Sequence, residues 1–212
     1  ILLLMAHQLF GENIEKAISP ALGIEIFHNF TLLHDDIMDS APIRRGKQTV
    51  HEKWNKNVAI LSGDTMLVQA YQLLSDVDKS IVKEMIAVFS KAATQVCEGQ
   101  QWDMDFEIQK DVTLQEYLKM IEYKTAVLLA ASLQIGGITA NASKENQNNL
   151  YHFGLNMGIA FQLKDDLLDA FGNQDEFGKQ IGGDIIANKK TFLYLKALQL
   201  ANDKQKESLV KY

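Results

Sequence analysis

Hydrophobic residues recur along this chain at the three- and four-residue spacing of amphipathic helices, and no stretch alternates between polar and apolar residues as a strand would. The pattern predicts an all-α protein made of long helices that are joined by polar segments. The predicted helices span residues 20–40, 58–75, 79–105, 114–139, 144–171 and 189–212, and residue 1 already lies within a helical pattern. Residues 41–57 and 172–188 are predicted loops, the first with a short helix inside it.

Local signals place some of the helix ends. Ser19 and Pro20 are typical of an N-cap and a first helical residue, so the first long helix should begin there. Gly136 and Gly137 predict a bend in helix 114–139. No linker or repeat interrupts the chain, so we expect a single domain over residues 1–212. Because the chain lacks an initiator methionine and ends without a helix stop signal, we expect a longer protein around it.

Composition argues against several classes of protein. Lys and Arg number 21 against 27 Asp and Glu, and the net charge of −6 argues against a nucleic-acid binder. With 47% hydrophobic residues the chain can bury a full core, whereas its longest apolar runs fall far short of the roughly 20 residues of a membrane span. The single cysteine, Cys97, cannot form an internal disulfide and fits a reducing compartment, so we expect a cytoplasmic location.

One short motif occurs twice, at the end of a mainly apolar helix each time: DDIMD at Asp35–Asp39 and DDLLD at Asp165–Asp169. The six aspartates are Asp35, Asp36, Asp39, Asp165, Asp166 and Asp169. In each motif they fall within a helical arc of about 100°. Such clusters can be solvated acidic faces or ligands of a divalent metal. Burying unpaired carboxylates is costly, so the apolar helices that carry them favour the metal.

The donor set indicates which metal would bind. Carboxylates without a cluster of Cys and His suit Mg²⁺ or Mn²⁺ rather than zinc. Mg²⁺ usually takes one or two protein carboxylates and completes its shell with water and substrate phosphates. Two facing clusters would therefore hold a phosphorylated ligand between several metal ions.

Basic residues that follow the clusters fit such a ligand. Arg44 and Arg45 follow the first cluster, and guanidinium groups bind phosphate oxygens in a bidentate manner. Lys179 and Lys189 follow the second cluster, and Lys124–Thr125 interrupts an otherwise apolar helix. Each lysine alone is more typical of a surface residue, but the order of acidic and then basic residues occurs twice.

Two polar residues lie on the helix faces that carry the clusters. His28 lies two helical turns before Asp35, and Gln162 lies three residues before Asp165. Each could simply be satisfied by a neighbour inside a buried helix, or it could project into the same site as its aspartate.

In these residues and their order, the sequence resembles the trans-isoprenyl diphosphate synthases, which include farnesyl and geranylgeranyl diphosphate synthases. The family's first motif, DDxxD followed by RRG, stands here as DDIMDSAPIRRG, and its second, GxxFQxxDDxxD, as GIAFQLKDDLLD. LSGD, EGQQWD and YKT lie between them in family order, and GKQIGGD and NKKT follow. The resemblance covers nearly the whole chain. It implies an isoprenoid-synthase-type helical bundle around a central cavity, with the two clusters facing each other across its mouth.

The resemblance also implies roles for single residues. The implied Mg²⁺ ligands, for three ions with substrate bound, are Asp35, Asp39 and Asp165, with Asp36, Asp166 and Asp169 in support. The implied contacts to an allylic diphosphate are Arg44, Lys124, Gln162 and Lys189. Arg45 and His28 would contact isopentenyl diphosphate, and Lys179 would help to close the site. The backbone carbonyls of Lys124 and Thr125, together with Gln162, would stabilise an allylic cation.

The implied reaction is the Mg²⁺-dependent condensation of isopentenyl diphosphate with an allylic diphosphate, by ionisation, condensation and elimination. Phe30 stands five residues before the first aspartate, where a bulky residue closes the product tunnel in this family. On an ideal helix Phe30 lies opposite Asp35, whereas Phe27 and Thr31 lie nearer to the Asp35 face. We expect Phe30 to form the floor, Thr31 to leave space above it, and the product to have fifteen to twenty carbons, with Phe27 as the alternative floor.

Other functions remain open. A class I terpene cyclase usually carries an Asn/Ser/Glu metal motif where this chain has DDLLD. A non-catalytic regulatory subunit of a heteromeric synthase commonly loses one cluster or the arginines, and both are kept here. The family's GKxxRP segment would precede Ile1. The resemblance also implies a homodimer, and the few charges in residues 125–142 suggest a helix that needs additional covering.

Overall fold

The computed structural model describes residues 1–109, 111–172 and 189–210. These residues form α-helices, one π-helical turn and one short hairpin, so the all-α prediction is confirmed. The helices are α1 (Leu2–Gln8), α2 (Glu15–Met38), α3 (Val50–Lys53), α4 (Lys56–Ser75), α5 (Lys79–Ile108), α6 (Leu114–Ile121), α7 (Val127–Thr139), α8 (Lys144–Phe171), α9 (Phe192–Leu200) and α10 (Asp203–Val210). The π-helical turn is Glu122–Ala126, and the strands are β1 (Ile43–Arg44) and β2 (Lys47–Gln48).

The predicted start of the first long helix at Ser19 and Pro20 is wrong, because α2 begins at Glu15 and carries Pro20 inside it. The Ser19 hydroxyl caps nothing. It donates instead to the backbone oxygen of Leu73, 3.0 Å away. Pro20 is fully buried, so packing offsets the helical hydrogen bond that its missing N–H cannot make.

The helix α7 runs through Gly136 and Gly137 without a break, and the bend predicted there stays a prediction. The irregularity of this segment is the π-helical turn, where the N–H of Val127 bonds the oxygen of Glu122, five residues earlier. A π-helical turn inserts one extra residue into a helix and is frequent at functional sites. Lys124 and Thr125 lie in the middle of this turn.

Two further segments depart from the prediction. Residues 41–57 hold the expected short helix, α3, and also an antiparallel hairpin that pairs Arg44 with Lys47. The helix predicted from Lys189 to the chain end begins only at Phe192 and is interrupted at residues 201–202. The side chain of Thr191 accepts the N–H of Tyr194 and so caps α9.

The chain falls into two compact units, which are described separately. The first unit comprises Ile1–Lys91 and Ala131–Tyr151. In it α2 packs closely on α4: a Cβ atom added at Gly23 would lie 3.0 Å from the backbone oxygen of Ala70. The prediction of a single domain stays a prediction, as does that of two aspartate clusters that face each other.

The second unit comprises Ala92–Ala130 and His152–Tyr212. Its buried core joins side chains of α5, α6, α9 and the residues before α6. The core residues are Phe106, Val112, Tyr117, Met120, Ile121 and Leu195. A capping box starts α6, in which Thr113 and Glu116 each satisfy the other's backbone N–H. This cap fixes the first turn of α6 and with it the position of Tyr117.

The low-charge helix that suggested a dimer is covered by the chain itself. Val127, Ala130, Ala131 and Ile135 of α7 are completely buried. That reason for a dimer is therefore wrong, and the homodimer stays a prediction of the resemblance. Among the described residues, no helix is both long enough and apolar enough to cross a membrane.

Candidate functional site

The first aspartate cluster lies at the C-terminal end of α2. Asp36 is buried, Asp35 is half-buried, and Asp39 is exposed and caps the helix. The guanidinium group of Arg44 binds two of these carboxylates, with its Nε 2.7 Å from Asp36 Oδ1 and its Nη2 3.1 Å from Asp35 Oδ2. The structure thus brings three of the predicted site residues together, as one cation shared by two acids.

The hairpin brings Arg44 back to the end of α2. Its two-residue turn, Arg45–Gly46, has positive φ angles of 52° and 74°, which is the pattern of a type I′ turn. The hydroxyl of Thr49 donates to the backbone oxygen of Ala41 at 2.7 Å and holds the base of the hairpin. Arg45, at the tip, is exposed and adopts a conformation that is unfavourable for a residue with a Cβ atom.

Burial and neighbouring charges alter two pKa values in this region. Burial raises the pKa of Asp36, and the hydrogen bond and charge of Arg44 oppose that shift. Burial lowers the pKa of His28; the positive charges of Arg45 and Arg44 act in the same direction, and Glu25 opposes them. His28 is therefore favoured as the neutral imidazole, which donates a hydrogen bond from one ring nitrogen and accepts one at the other.

Two aspartates of the second cluster, Asp165 and Asp166, line a cavity of about 180 Å³ in the second unit, whereas Asp169 does not. Six residues that the sequence singled out lie in its wall: Lys124, Thr125, Gln162, Asp165, Asp166 and Lys189. Asp103, Glu107, Tyr117, Lys190 and Thr191 also line it. Acidic and basic groups of α5, the π-helical turn, α8 and the segment before α9 thus converge on one cavity.

Asp166 and Asp169 are the buried members of this cluster, and Asp166 is hydrogen-bonded on both carboxylate oxygens. Its Oδ2 accepts the hydroxyl of Tyr117 and the backbone N–H of Phe192, the latter at 3.1 Å. Its Oδ1 faces the amide nitrogen of Gln162 at 3.4 Å. On its other side Gln162 accepts the hydroxyl of Thr125 at 3.3 Å. Burial raises the pKa of Asp166, and these donors oppose the shift.

Lys124 is held by an acid that the sequence analysis left without a role. Its ammonium group lies 2.6 Å from Asp103 Oδ2, and both side chains are largely shielded from solvent. Glycines fix the backbone of the same turn. A Cβ atom at Gly99 would lie 2.7 Å from the carbonyl carbon of Tyr123, and one at Gly158 would lie 2.5 Å from the Cα of Ala126. Packing on both glycines thus defines the position of the π-helical turn.

The residues proposed to limit product length lie in an aromatic cluster of the first unit. The rings of Phe27 and Phe30 have centroids 5.5 Å apart, and Phe27 packs edge-on against Phe89 at 5.0 Å. Phe27 is only 1% exposed and Phe30 8%, while Thr31 is half-buried. Phe30 also contacts the ring of His34. Both phenylalanines thus belong to the core beneath Asp35.

Sequence reasoning missed two residues that hold site residues in place: Asp103 binds Lys124, and Tyr117 binds Asp166. Asp103 belongs to EGQQWD, which had only its family order to support it. Tyr117 has the spacing of an ordinary core aromatic. The capping-box pattern from Thr113 to Glu116 could have located the first turn of α6, but it does not show that Tyr117 reaches Asp166. Lys179 lies outside the described residues.

The carboxylates fit a hard divalent metal. Within the described residues, no three His, Cys, Asp or Glu side chains form a ready-made cage for an ion. Mg²⁺ does not need such a cage, since it usually takes one or two protein carboxylates and keeps water or phosphate in its other positions. Asp35 and Asp165, both partly accessible, are suitable oxygen donors.

This chain is similar in sequence to proteins of a known family. The family model described as polyprenyl synthetase matches residues 1–212. The geranylgeranyl diphosphate synthase of Methanosarcina mazei is 43% identical over 199 residues, covering 93% of this chain and 61% of that protein. The enzyme of the same description from Saccharolobus solfataricus is 41% identical over 214 residues, covering 99% of this chain and 64% of that protein.

The structure of this chain is also similar to solved structures. The crystal structure of geranylgeranyl pyrophosphate synthetase from Pyrococcus horikoshii Ot3 matches with a TM-score of 0.94 and 38% identity, covering 99% of this chain and 65% of that one. This chain spans less than two thirds of the length of each of these three proteins. The match to the family model extends over every residue, and the chain belongs to the polyprenyl synthetase family.

Proposed function

We propose that this chain carries the catalytic core of a prenyltransferase that condenses isopentenyl diphosphate with an allylic diphosphate and needs Mg²⁺. The observation that carries the proposal is the cavity of the second unit, where Asp165 lies in one wall with Lys124 and Lys189. A diphosphate carries several negative charges, so it needs cationic side chains and metal ions together. The names of the relatives from Methanosarcina mazei and Saccharolobus solfataricus support the substrate class.

The reaction breaks the bond between carbon and oxygen in the allylic diphosphate, joins the freed carbon to isopentenyl diphosphate and releases a proton. Bound Mg²⁺ would offset the negative charge that develops on the departing diphosphate. Asp35, Asp39 and Asp165 are the proposed metal ligands. Lys124 and Lys189 would bind phosphate oxygens by charge-assisted hydrogen bonds, and their fixed positions lower the cost of reorganisation during ionisation.

Arg44 is proposed to contact the allylic diphosphate from the first cluster. In the structure its guanidinium group is bonded to Asp35 and Asp36, so that contact requires an exchange of partners. Asp35 would then hold a metal ion, and the guanidinium group of Arg44 would bind phosphate oxygens of matching geometry. Arg45 and His28 are the proposed contacts to isopentenyl diphosphate. Because His28 favours its neutral form, it would act as a hydrogen-bonding group rather than as a cation.

The π-helical turn is the proposed site of cation stabilisation. Lys124 and Thr125 lie in this turn, where helical hydrogen bonding is irregular and backbone oxygens can face a ligand. Gln162 is held between Thr125 and Asp166, and it lines the same cavity.

A direct assay tests the proposal. The protein expressed from its complete gene is incubated with labelled isopentenyl diphosphate, an allylic diphosphate and Mg²⁺, and the products are hydrolysed and separated by chromatography. We expect prenyl alcohols of fifteen to twenty carbons and no product after chelation of the metal. Cyclic hydrocarbons formed from the allylic diphosphate alone would instead indicate a terpene cyclase. A failure to form any product with all components would contradict the proposal.

Replacing Phe30 by alanine should lengthen the product. The ring of Phe30 lies in the core about one and a half turns before Asp35, and its removal leaves a space into which a growing chain could extend. Chromatography of the hydrolysed products measures the change. Removing a buried aromatic ring also costs about 3–5 kcal/mol of stability, so folding is checked by circular dichroism at the assay temperature.

The exposed Phe153 of α8 provides the control, because Phe153→Ala removes the same group from the surface and should leave product length unchanged. If Phe30→Ala keeps the wild-type product and Phe27→Ala lengthens it, the floor is Phe27. Unchanged products in both variants would place the limit on another helix.

A further inference from the structure

Two neighbouring aspartates of α8 lie in different surroundings. Asp165 is half-buried in the wall of the cavity, whereas Asp166 is 4% exposed. In the sequence motif the two are equivalent acids at the end of one helix. The structure distinguishes them by burial, and it gives the oxygens of Asp166 partners within the protein.

The oxygens of Asp166 are engaged by groups of the protein. Oδ2 accepts two bonds, from the Tyr117 hydroxyl and the Phe192 N–H. A carboxylate oxygen has two lone pairs in its plane, so two donors occupy Oδ2 fully. Oδ1 faces the amide of Gln162. A metal ion at Oδ2 would have to displace a buried hydroxyl or a backbone N–H, and each would then lose a bond inside the protein.

These bonds join three separate parts of the second unit. Tyr117 belongs to α6 and Asp166 to α8, while Phe192 is the first residue of α9. The residues just before α9, Lys189 to Thr191, all line the cavity. The bond to the Phe192 N–H therefore fixes the start of α9, to which this cationic segment is directly joined. The bond to Gln162 orients the amide, whose oxygen then accepts the Thr125 hydroxyl.

We propose that Asp166 is a positioning residue rather than a metal ligand: its carboxylate ties α6, α8 and the start of α9 together and so holds Lys189 and Gln162 in place for a diphosphate. This inference rests on the proposed function, since it assigns a task within the same cavity. The two aspartates would thus have different tasks. Asp165 binds the metal, and Asp166 holds in place the part of the cavity wall that binds the phosphates.

Three variants of the protein expressed from its complete gene test the inference. Asp166→Asn keeps an oxygen for Tyr117 and Phe192 but removes the charge, Asp166→Ala removes both acceptors, and Asp165→Asn is the matched change at the neighbouring position. Calorimetry measures the binding of Mg²⁺ in the presence of inorganic pyrophosphate. Steady-state kinetics measures KM for the allylic diphosphate. Thermal unfolding shows whether each variant is folded.

We expect Asp166→Asn to bind as many Mg²⁺ ions as the wild type, and Asp165→Asn to bind fewer. Asp166→Ala should raise KM about tenfold through loss of the three hydrogen bonds that its oxygens accept, and asparagine should restore most of this loss. A purely structural role would lower the unfolding temperature without changing KM in the folded enzyme. Tyr117→Phe removes one hydrogen bond and keeps the ring, so it should raise KM less than Asp166→Ala. It replaces Asp166→Ala in the test if that variant does not fold.

Two results would overturn the inference: loss of a bound Mg²⁺ ion in Asp166→Asn, as in Asp165→Asn, or a wild-type KM in both Asp166→Ala and Tyr117→Phe. Wild-type binding of Mg²⁺ and pyrophosphate by Asp165→Asn would instead contradict the metal site of the proposed function. The two failures thus appear in different variants and are separable.

Discussion

Asp35→Ala and Asp165→Ala should each reduce turnover by about a hundredfold to a thousandfold, the size of effect seen when one pre-placed electrostatic contact to a developing charge is removed. The reason is that the diphosphate leaves with a growing negative charge, and each variant loses a carboxylate that would hold a compensating metal ion. Turnover is measured with labelled isopentenyl diphosphate at saturating Mg²⁺, in the protein expressed from its complete gene.

Folding should change little in these variants. Asp35 is bonded to Arg44, but the pair is partly exposed, and such pairs contribute about 1 kcal/mol or less. Its removal also relieves repulsion within a crowded acidic cluster. Glu145→Ala provides the control, because it removes an exposed carboxylate at the opposite end of the helix that bears Asp165. Turnover near the wild-type value in Asp35→Ala or Asp165→Ala would refute the assignment of that residue as a metal ligand.

The helices could be predicted from their hydrophobic periodicity. The polar residues that line the cavity of the second unit could be predicted because they stand out from the apolar sequence around them. An apolar helix that ends in three aspartates, or that contains Lys124 and Thr125, departs from the pattern of an ordinary core helix. The spacing of three residues from Asp165 singled out Gln162, and these residues do line one cavity with Asp165. Local pattern is sufficient to single out a polar residue within an apolar stretch.

Features that depend on tertiary contacts were not predictable in this way. The π-helical turn has no local signal, since EYKTA contains neither proline nor glycine and its backbone is set by packing on α5 and α8. The partnership of Tyr117 and Asp166 joins residues 49 positions apart. Ser19 shows the opposite error. Its residue type predicted a helix cap, but its hydroxyl bonds to Leu73 on another helix. Local propensity is a weak guide where such contacts compete with it.

Gly99→Ala should destabilise the protein although alanine is the better helix former. An added Cβ atom would lie 2.7 Å from the carbonyl carbon of Tyr123 and 2.8 Å from the Cα of Lys124, so only a shift of backbone could relieve the overlap. Overpacking of this kind costs about 1–3 kcal/mol, and backbone contacts place the change at the upper end. The helix propensity of alanine returns at most about 1 kcal/mol. The π-helical turn should then move, and Lys124 with it.

The control is Gly137→Ala in α7, where the nearest atom to the added Cβ is a methyl carbon at the end of the Leu150 side chain, 2.8 Å away. That side chain can rotate, so Gly137→Ala should change the free energy of unfolding by less than about 1 kcal/mol. Chemical denaturation measures both variants. For Gly99→Ala we also expect a higher KM for the allylic diphosphate, because the pair of Lys124 with Asp103 depends on the position of the turn. Equal stabilities of the two variants would mean that the turn tolerates movement and that Gly99 does not define the position of Lys124.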